Sequence, residues 1–286
     1  MTSLVVNNYT AQQLTTFIRQ PSHAVLLHGP AGSGKTALAH QLAADVLKTS
    51  TEKISEYPYL HVISALAVSS DAIEAVRKLE HFLSLSVPLA GSITRVVIIA
   101  DAQSLSVQAQ NALLKTIEEP PANSLIILTA DSQASLLPTV SSRLQTIAVR
   151  RPAVAALAAH FAAAGHTKVA IDQAAAISGG LPGLMTALLT DSEHPLLAAT
   201  VTARRLLQQT LYERLLQVDE LSKQRPHLVD VLFILQQMAH ARLQVTKGSQ
   251  FNRWQQIMTA SYEASEQLAA SAQPKLVLDA LMLKLN

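Results

Sequence analysis

Eight consecutive residues, Gly29-Pro30-Ala31-Gly32-Ser33-Gly34-Lys35-Thr36, form a glycine-rich run that closes on a lysine and a hydroxyl. The spacing G-x-x-x-x-G-K-[ST] suits a loop that wraps phosphates. Glycines at 29, 32 and 34 let the backbone turn tightly enough for successive N–H groups to point inward, and the helix that follows adds the positive end of its dipole. Lys35 would reach the β- and γ-phosphates as a point charge, and the Thr36 hydroxyl would hold Mg²⁺. ATP and Mg²⁺ are therefore the expected cofactors, with residues 29 to 36 as their cradle. The bland alternative is a glycine turn that joins a strand to a helix.

Such a loop needs a strand before it and a helix after it, and both are written in the pattern. An apolar run from Ala24 to His28 precedes it, and an amphipathic stretch from Ala37 to Lys48 follows. Up to about residue 150, short β-branched runs alternate with helical stretches, which predicts a parallel α/β sheet. Strands are expected at Ala24 to His28, Tyr59 to Ile63, Thr94 to Ala100, Ser124 to Thr129 and Gln145 to Val149. The runs Arg95 to Ile99 and Leu125 to Leu128 lack alternation, as central strands covered on both faces do. Between them Leu105, Ala109, Ala112, Leu113, Thr116 and Ile117 fall on one helical stripe that Pro120 and Pro121 terminate.

Beyond Arg150-Arg151-Pro152 the strand signal disappears. Helices are expected at Ala153 to Ala164, Ile171 to Ser178 and Gly183 to Leu189, then longer ones at Thr202 to Leu216, Pro226 to Leu243 and Trp254 to Ala270. The expected domains are an α/β nucleotide-binding domain at 1–150, a small helical lid at 151–194 and an all-α domain at 195–286, with His194-Pro195 at the second boundary.

Composition narrows the class without naming a function. The chain has 286 residues, 49% of them hydrophobic, enough for more than one core. It has no 18-residue apolar run, and the stretch Met1 to Tyr9 lacks the basic start and apolar centre of a secretory leader, so the cytoplasm, with no membrane partner, is the expected compartment. Zero cysteines exclude disulfides and thiolate zinc sites. The ten histidines are scattered without metal-ligand spacing, and a net charge of +2 asks for no nucleic acid by bulk electrostatics.

Two further segments carry a resemblance. Gln110-Asn-Ala-Leu-Leu-Lys-Thr-Ile-Glu-Glu-Pro-Pro121 and Leu136-Leu-Pro-Thr-Val-Ser-Ser-Arg-Leu-Gln145 follow the loop in order and at the usual distance, and over about residues 20 to 190 the chain resembles the AAA+ clamp-loader subunits of bacterial DNA polymerase III, delta-prime type. The resemblance implies a P-loop domain with a five-stranded parallel sheet, a helical lid and a helical collar. It also implies an open hetero-oligomeric ring of clamp-loader subunits that acts on a sliding clamp and, through the assembly, on primer-template DNA.

In that family the arginine of a Ser-Arg-Cys box projects into the neighbouring subunit's nucleotide site. Arg143 matches it, with Leu144 where the family has cysteine; read without the family, Arg143 is a surface arginine before an edge strand. A guanidinium near the γ-phosphate offsets charge that spreads over the phosphoryl oxygens during transfer.

The departures matter as much. Family spacing, counted back from Asn111, puts the metal-site aspartate of the Walker B strand on Ala100 and the second acid on Asp101. Mg²⁺ would then rest on Thr36, phosphates and water, and Asp101 reaches the site only if the strand end is bulged. Thr129, with Ala130 as the rival position, is the candidate for sensing the γ-phosphate. Gly183, in Ser178-Gly-Gly-Leu-Pro-Gly183, occupies the place where motor subunits carry a lid arginine. The four-cysteine zinc module of many relatives is absent between Lys48 and Leu60.

These features favour a nucleotide-binding stator that presents Arg143 and has little hydrolysis of its own. The alternatives are a self-sufficient ATPase motor with Asp101 as the Walker B acid, and a small-molecule kinase, which the lack of arginines between 153 and 190 disfavours. Lys115 reads equally as a contact to DNA phosphates or as a solvated helix residue.

Overall fold

The computed structural model describes residues 4–65, 79, 81–83, 93–190, 195–243, 245–270 and 272–285. They divide into two compact units, Met1–Pro152 and Ala153–Asn286.

The first unit is a five-stranded parallel sheet of β1 (Ala24–His28), β2 (Leu60–Ser64), β3 (Arg95–Ala100), β4 (Ser124–Ala130) and β5 (Gln145–Ala148), in the order β2-β3-β4-β1-β5. All five expected strands are present, with ends shifted by a residue at most. Both central strands are buried along their whole length, and successive residues feed opposite cores. Leu26, Val97, Ile99, Ile126 and Leu128 face one layer; Val25, Leu27, Val96, Ile98, Leu125 and Ile127 face the other. Continuous apolar runs are the direct consequence of this double burial.

Helices α1 (Asn8–Arg19) and α2 (Lys35–Leu47) supply Phe17, Leu38 and Leu42 to the second layer. On the first layer lie α3 (Val107–Glu118), with Ala109, Leu113 and Ile117, and α4 (Pro138–Ser141), with Val140. Helix α3 starts where the Ser106 side chain accepts the Ala109 N–H; its buried stripe keeps the expected Ala109, Leu113, Thr116 and Ile117, adds Gln110 and leaves Ala112 half-buried. Leu144, the residue in the cysteine place, is buried in this layer and fills it with a branched side chain. Helix α1 escaped the sequence reading because its composition is polar; its start is capped by Asn7, whose side chain accepts the Tyr9 N–H. It is tied to the end of the sheet by Thr10, whose hydroxyl donates to Ala148 O at 2.9 Å and accepts from Arg150 N at 3.1 Å.

The described part of the second unit is helical: α5 (Val154–Ala163), α6 (Lys168–Ser178), α7 (Pro182–Leu189), α8 (Pro195–Gln208), α9 (Leu211–Leu216), α10 (Val218–Lys223), α11 (Arg225–Leu243), α12 (Ser249–Ala269) and α13 (Pro274–Lys284). Leu181 and Leu184 share one core with Ala199, Leu232, Ile257 and Leu281. The single helix expected from Thr202 to Leu216 is two. The chain breaks after Gln208, and Thr210 starts a new helix through a reciprocal box in which its side chain accepts the Glu213 N–H and Glu213 accepts the Thr210 N–H. Among the described residues no helix is long and apolar enough to cross a membrane.

Candidate nucleotide site and arginine segment

The phosphate loop leaves β1 at the carboxyl end of the sheet, where open α/β folds place their ligands. Gly32 and Gly34 adopt left-handed backbone with φ of 73° and 87°, so two of the three expected turn glycines are required by conformation. Gly29 is required by space, since a Cβ there would meet Val149 O at 2.5 Å. Its N–H donates to Ala130 O at 3.2 Å, and Ser33 N–H closes the turn on Pro30 O at 3.2 Å. Pro30 and Ala31 lie on the exposed side of the loop.

Lys35 opens α2 and is buried, with 6% of its side chain exposed. Its ammonium donates to Gly29 O at 2.7 Å, Pro30 O at 3.1 Å and Asp131 Oδ1 at 3.0 Å. Thr36, next on the helix, is exposed. His28, at the end of β1, is held below its ordinary pKa first by burial and then by the Lys35 charge.

The other expected residues come from β3 and β4. Strand β3 ends at Ala100, without a carboxylate, and Asp101 turns the chain in a left-handed conformation at φ 55°. Its N–H donates to the hydroxyl of Thr129 at 3.0 Å, and Thr129 is fully buried. The expected γ-phosphate sensor thus holds the turn that follows β3. Burial pushes the Asp101 carboxyl above the usual carboxylate range, Lys35 opposes the rise, Asp131 adds to it, and a hydrogen bond from Gln103 draws it back.

Asp131 and Gln103 were not singled out from sequence. Gln103 Nε2 donates to Asp131 Oδ2 at 3.3 Å, so this pair joins the β3 turn to the loop lysine. The signal that locates Asp131 is register. Ala130 pairs with His28 across β4 and β1, which sets the residue that follows β4 beside the start of the loop.

These residues fit a phosphate chain. Two left-handed glycines and a glycine packed on Val149 form a cradle that a Cβ would disturb, and the buried Ser33 hydroxyl has no protein partner. For a cation the donor set is thin. Thr36 offers one hydroxyl, and among the described residues no group of three histidines or carboxylates gathers to hold an ion.

Arg143 belongs to a separate segment, between α4 and β5. Its Nε donates to Glu118 Oε1 at 2.5 Å and its Nη1 to Thr139 O at 2.8 Å and Ser142 Oγ at 3.4 Å. The side chain is 42% exposed and that of Glu118 is 47% exposed. Gln110, on α3, positions this segment: buried, with 6% exposed, it donates to Leu105 O at 3.2 Å and accepts the Leu137 N–H at 2.9 Å. Lys115, on the same helix, is exposed. Gly183 is the second residue of α7 in the other unit and carries no side chain.

A family model described as DNA polymerase III, delta subunit, matches residues 7–153, more than half of the chain. The DNA polymerase III subunit delta' of Pseudomonas aeruginosa is 32% identical over 180 residues, covering 57% of this chain and 54% of that protein. The subunit delta' of Haemophilus influenzae is 31% identical over 136 residues, covering 43% of this chain and 41% of the relative. The matched part of this chain thus spans about half the length of the relatives, or less. Among solved structures, a DNA polymerase III gamma subunit-related protein from Thermotoga maritima superposes with a TM-score of 0.51 at 17% identity, covering 96% of this chain and 98% of that one, a likeness of fold alone.

Proposed function

The chain belongs to the DNA polymerase III delta-prime family, and from that premise we propose that it is the stator of a clamp loader, a subunit that holds a nucleotide with little turnover and lends Arg143 to the site of a neighbouring ATPase subunit. The observation that carries this reading is the state of Arg143. Its guanidinium is half exposed and is held by Glu118, Thr139 and Ser142, none of which belongs to the chain's own phosphate loop.

In the chain's own site, the loop N–H groups and Lys35 would bind the phosphates of ATP, and Thr36 would share Mg²⁺ with phosphate oxygens. The cation's service is to neutralise phosphate charge. Ala100 offers it no carboxylate, and Asp101 is committed by its main chain to the turn on Thr129. The Asp101 carboxyl is engaged by Gln103 beside Lys35 and Asp131, which in this reading keeps it from orienting an attacking water, so binding outlasts chemistry. The ring would act with a sliding clamp and primer-template DNA as partners, and Lys115 is an exposed cation available to phosphates.

The test is Arg143→Ala in the reconstituted loader. At the neighbouring site ATP turnover is expected to fall by about 10³-fold, the lower end of what such arginines supply, while the complex still assembles. Unchanged turnover in an intact complex would overturn the assignment.

A further inference from the structure

An ammonium has three N–H groups, and every one on Lys35 already has an acceptor in the chain. Two are main-chain carbonyls of the loop. The third is the Asp131 carboxylate, which reaches in from solvent with 51% of its side chain exposed and is steadied on its second oxygen by Gln103. Thr129, two positions earlier, is buried with its hydroxyl on Asp101. The side chain that stands at the loop lysine is therefore anionic.

We propose that Asp131 sets the nucleotide preference of this loop, favouring a nucleoside diphosphate over a triphosphate. The inference rests on the nucleotide-binding reading above and adds a specificity to it. A phosphate oxygen bonded to the Lys35 ammonium at an ordinary ~2.8 Å lies within about 6 Å of Asp131 Oδ1, because that oxygen is itself 3.0 Å from the nitrogen. A loop lysine of this type stands between the β- and γ-phosphates. A diphosphate presents one terminal group and leaves the carboxylate as a second partner of the same ammonium. A triphosphate brings further negative charge to that ammonium, so the carboxylate must either leave or face the phosphate across a partly desolvated gap. Leaving is hindered, because Gln103 holds the other carboxylate oxygen.

The experiment is equilibrium titration of the full chain with ADP and with ATP, each with Mg²⁺, by calorimetry. The same titrations are made on Asp131→Asn, Asp131→Glu and Lys35→Ala, with thermal melts of each nucleotide-free protein to establish folding. Wild type is expected to bind ADP about tenfold more tightly than ATP. Asp131→Asn, which keeps the shape and loses the charge, should bring the two affinities within about twofold, chiefly by tightening ATP. Asp131→Glu should keep the preference, so a poorly folded asparagine variant still leaves a folded acid to compare. If Lys35→Ala abolishes binding while Asp131→Asn leaves the ADP to ATP ratio unchanged, the specificity assignment is wrong and the nucleotide site stands. If wild type binds neither nucleotide, or Lys35→Ala changes nothing, both are wrong.

Discussion

Lys35 and Arg143 are both cations in the α/β unit, and their surroundings are opposite. Lys35 is 6% exposed and its three N–H groups end on the loop's own carbonyls and Asp131. Arg143 is 42% exposed and leans on Glu118, itself half exposed, and on main chain of its own segment. A charge enclosed by its own loop can act only on a ligand that enters the loop. A charge carried on an outer segment acts on whatever docks there. Under the proposed function, the same unit separates holding a nucleotide from helping a neighbour to cleave one.

The sharpest way to break this contrast is to exchange the losses. Lys35→Ala should weaken nucleotide binding by the isolated chain by about 100-fold, the scale of a charge-assisted bond removed from a buried site. Arg143→Ala should leave that affinity within about twofold of wild type, measured by the same titration. Equal losses would mean that the arginine serves its own pocket.

A smaller effect sharpens the second half of the comparison. Gln110→Ala leaves the buried Leu105 carbonyl and the Leu137 N–H without their partner, so a stability loss of about 1–3 kcal/mol is expected in urea denaturation. It should also raise amide exchange across α4 while sparing the phosphate loop. Uniform exchange through the unit would show that Gln110 is not specific to the arginine segment.

The phosphate loop and the strands that frame it were legible because their signals are local. Spacing of glycines, a lysine beside a hydroxyl, and apolar runs without alternation all lie within a few residues of one another. The stripe on α3 was legible for the same reason, and Gln110 was in view as the start of a motif while its bridge to Leu137, 27 positions away, was not. Asp131 meets Lys35 across 96 positions through the parallel register of β1 and β4, and strand order is not written in either strand. Thr129 is expected as a γ-phosphate sensor from the family's placement of a Thr or Asn there; its burial comes from the layers that cover both faces of β4, which no local pattern at the strand end announces. The break between α8 and α9 was readable in principle, since Thr210 and Glu213 form a capping box, but the amphipathic pattern runs on through it.

Whether the chain holds a nucleotide or spends it is decided by single-turnover hydrolysis, with Mg²⁺ and the purified chain in excess over labelled ATP, beside Lys35→Ala. Lys35-dependent binding with little or no product formed is the result expected of a stator whose β3 ends at Ala100. Rapid product formation that depends on both Lys35 and Asp101 would contradict it and make the chain a motor in its own right.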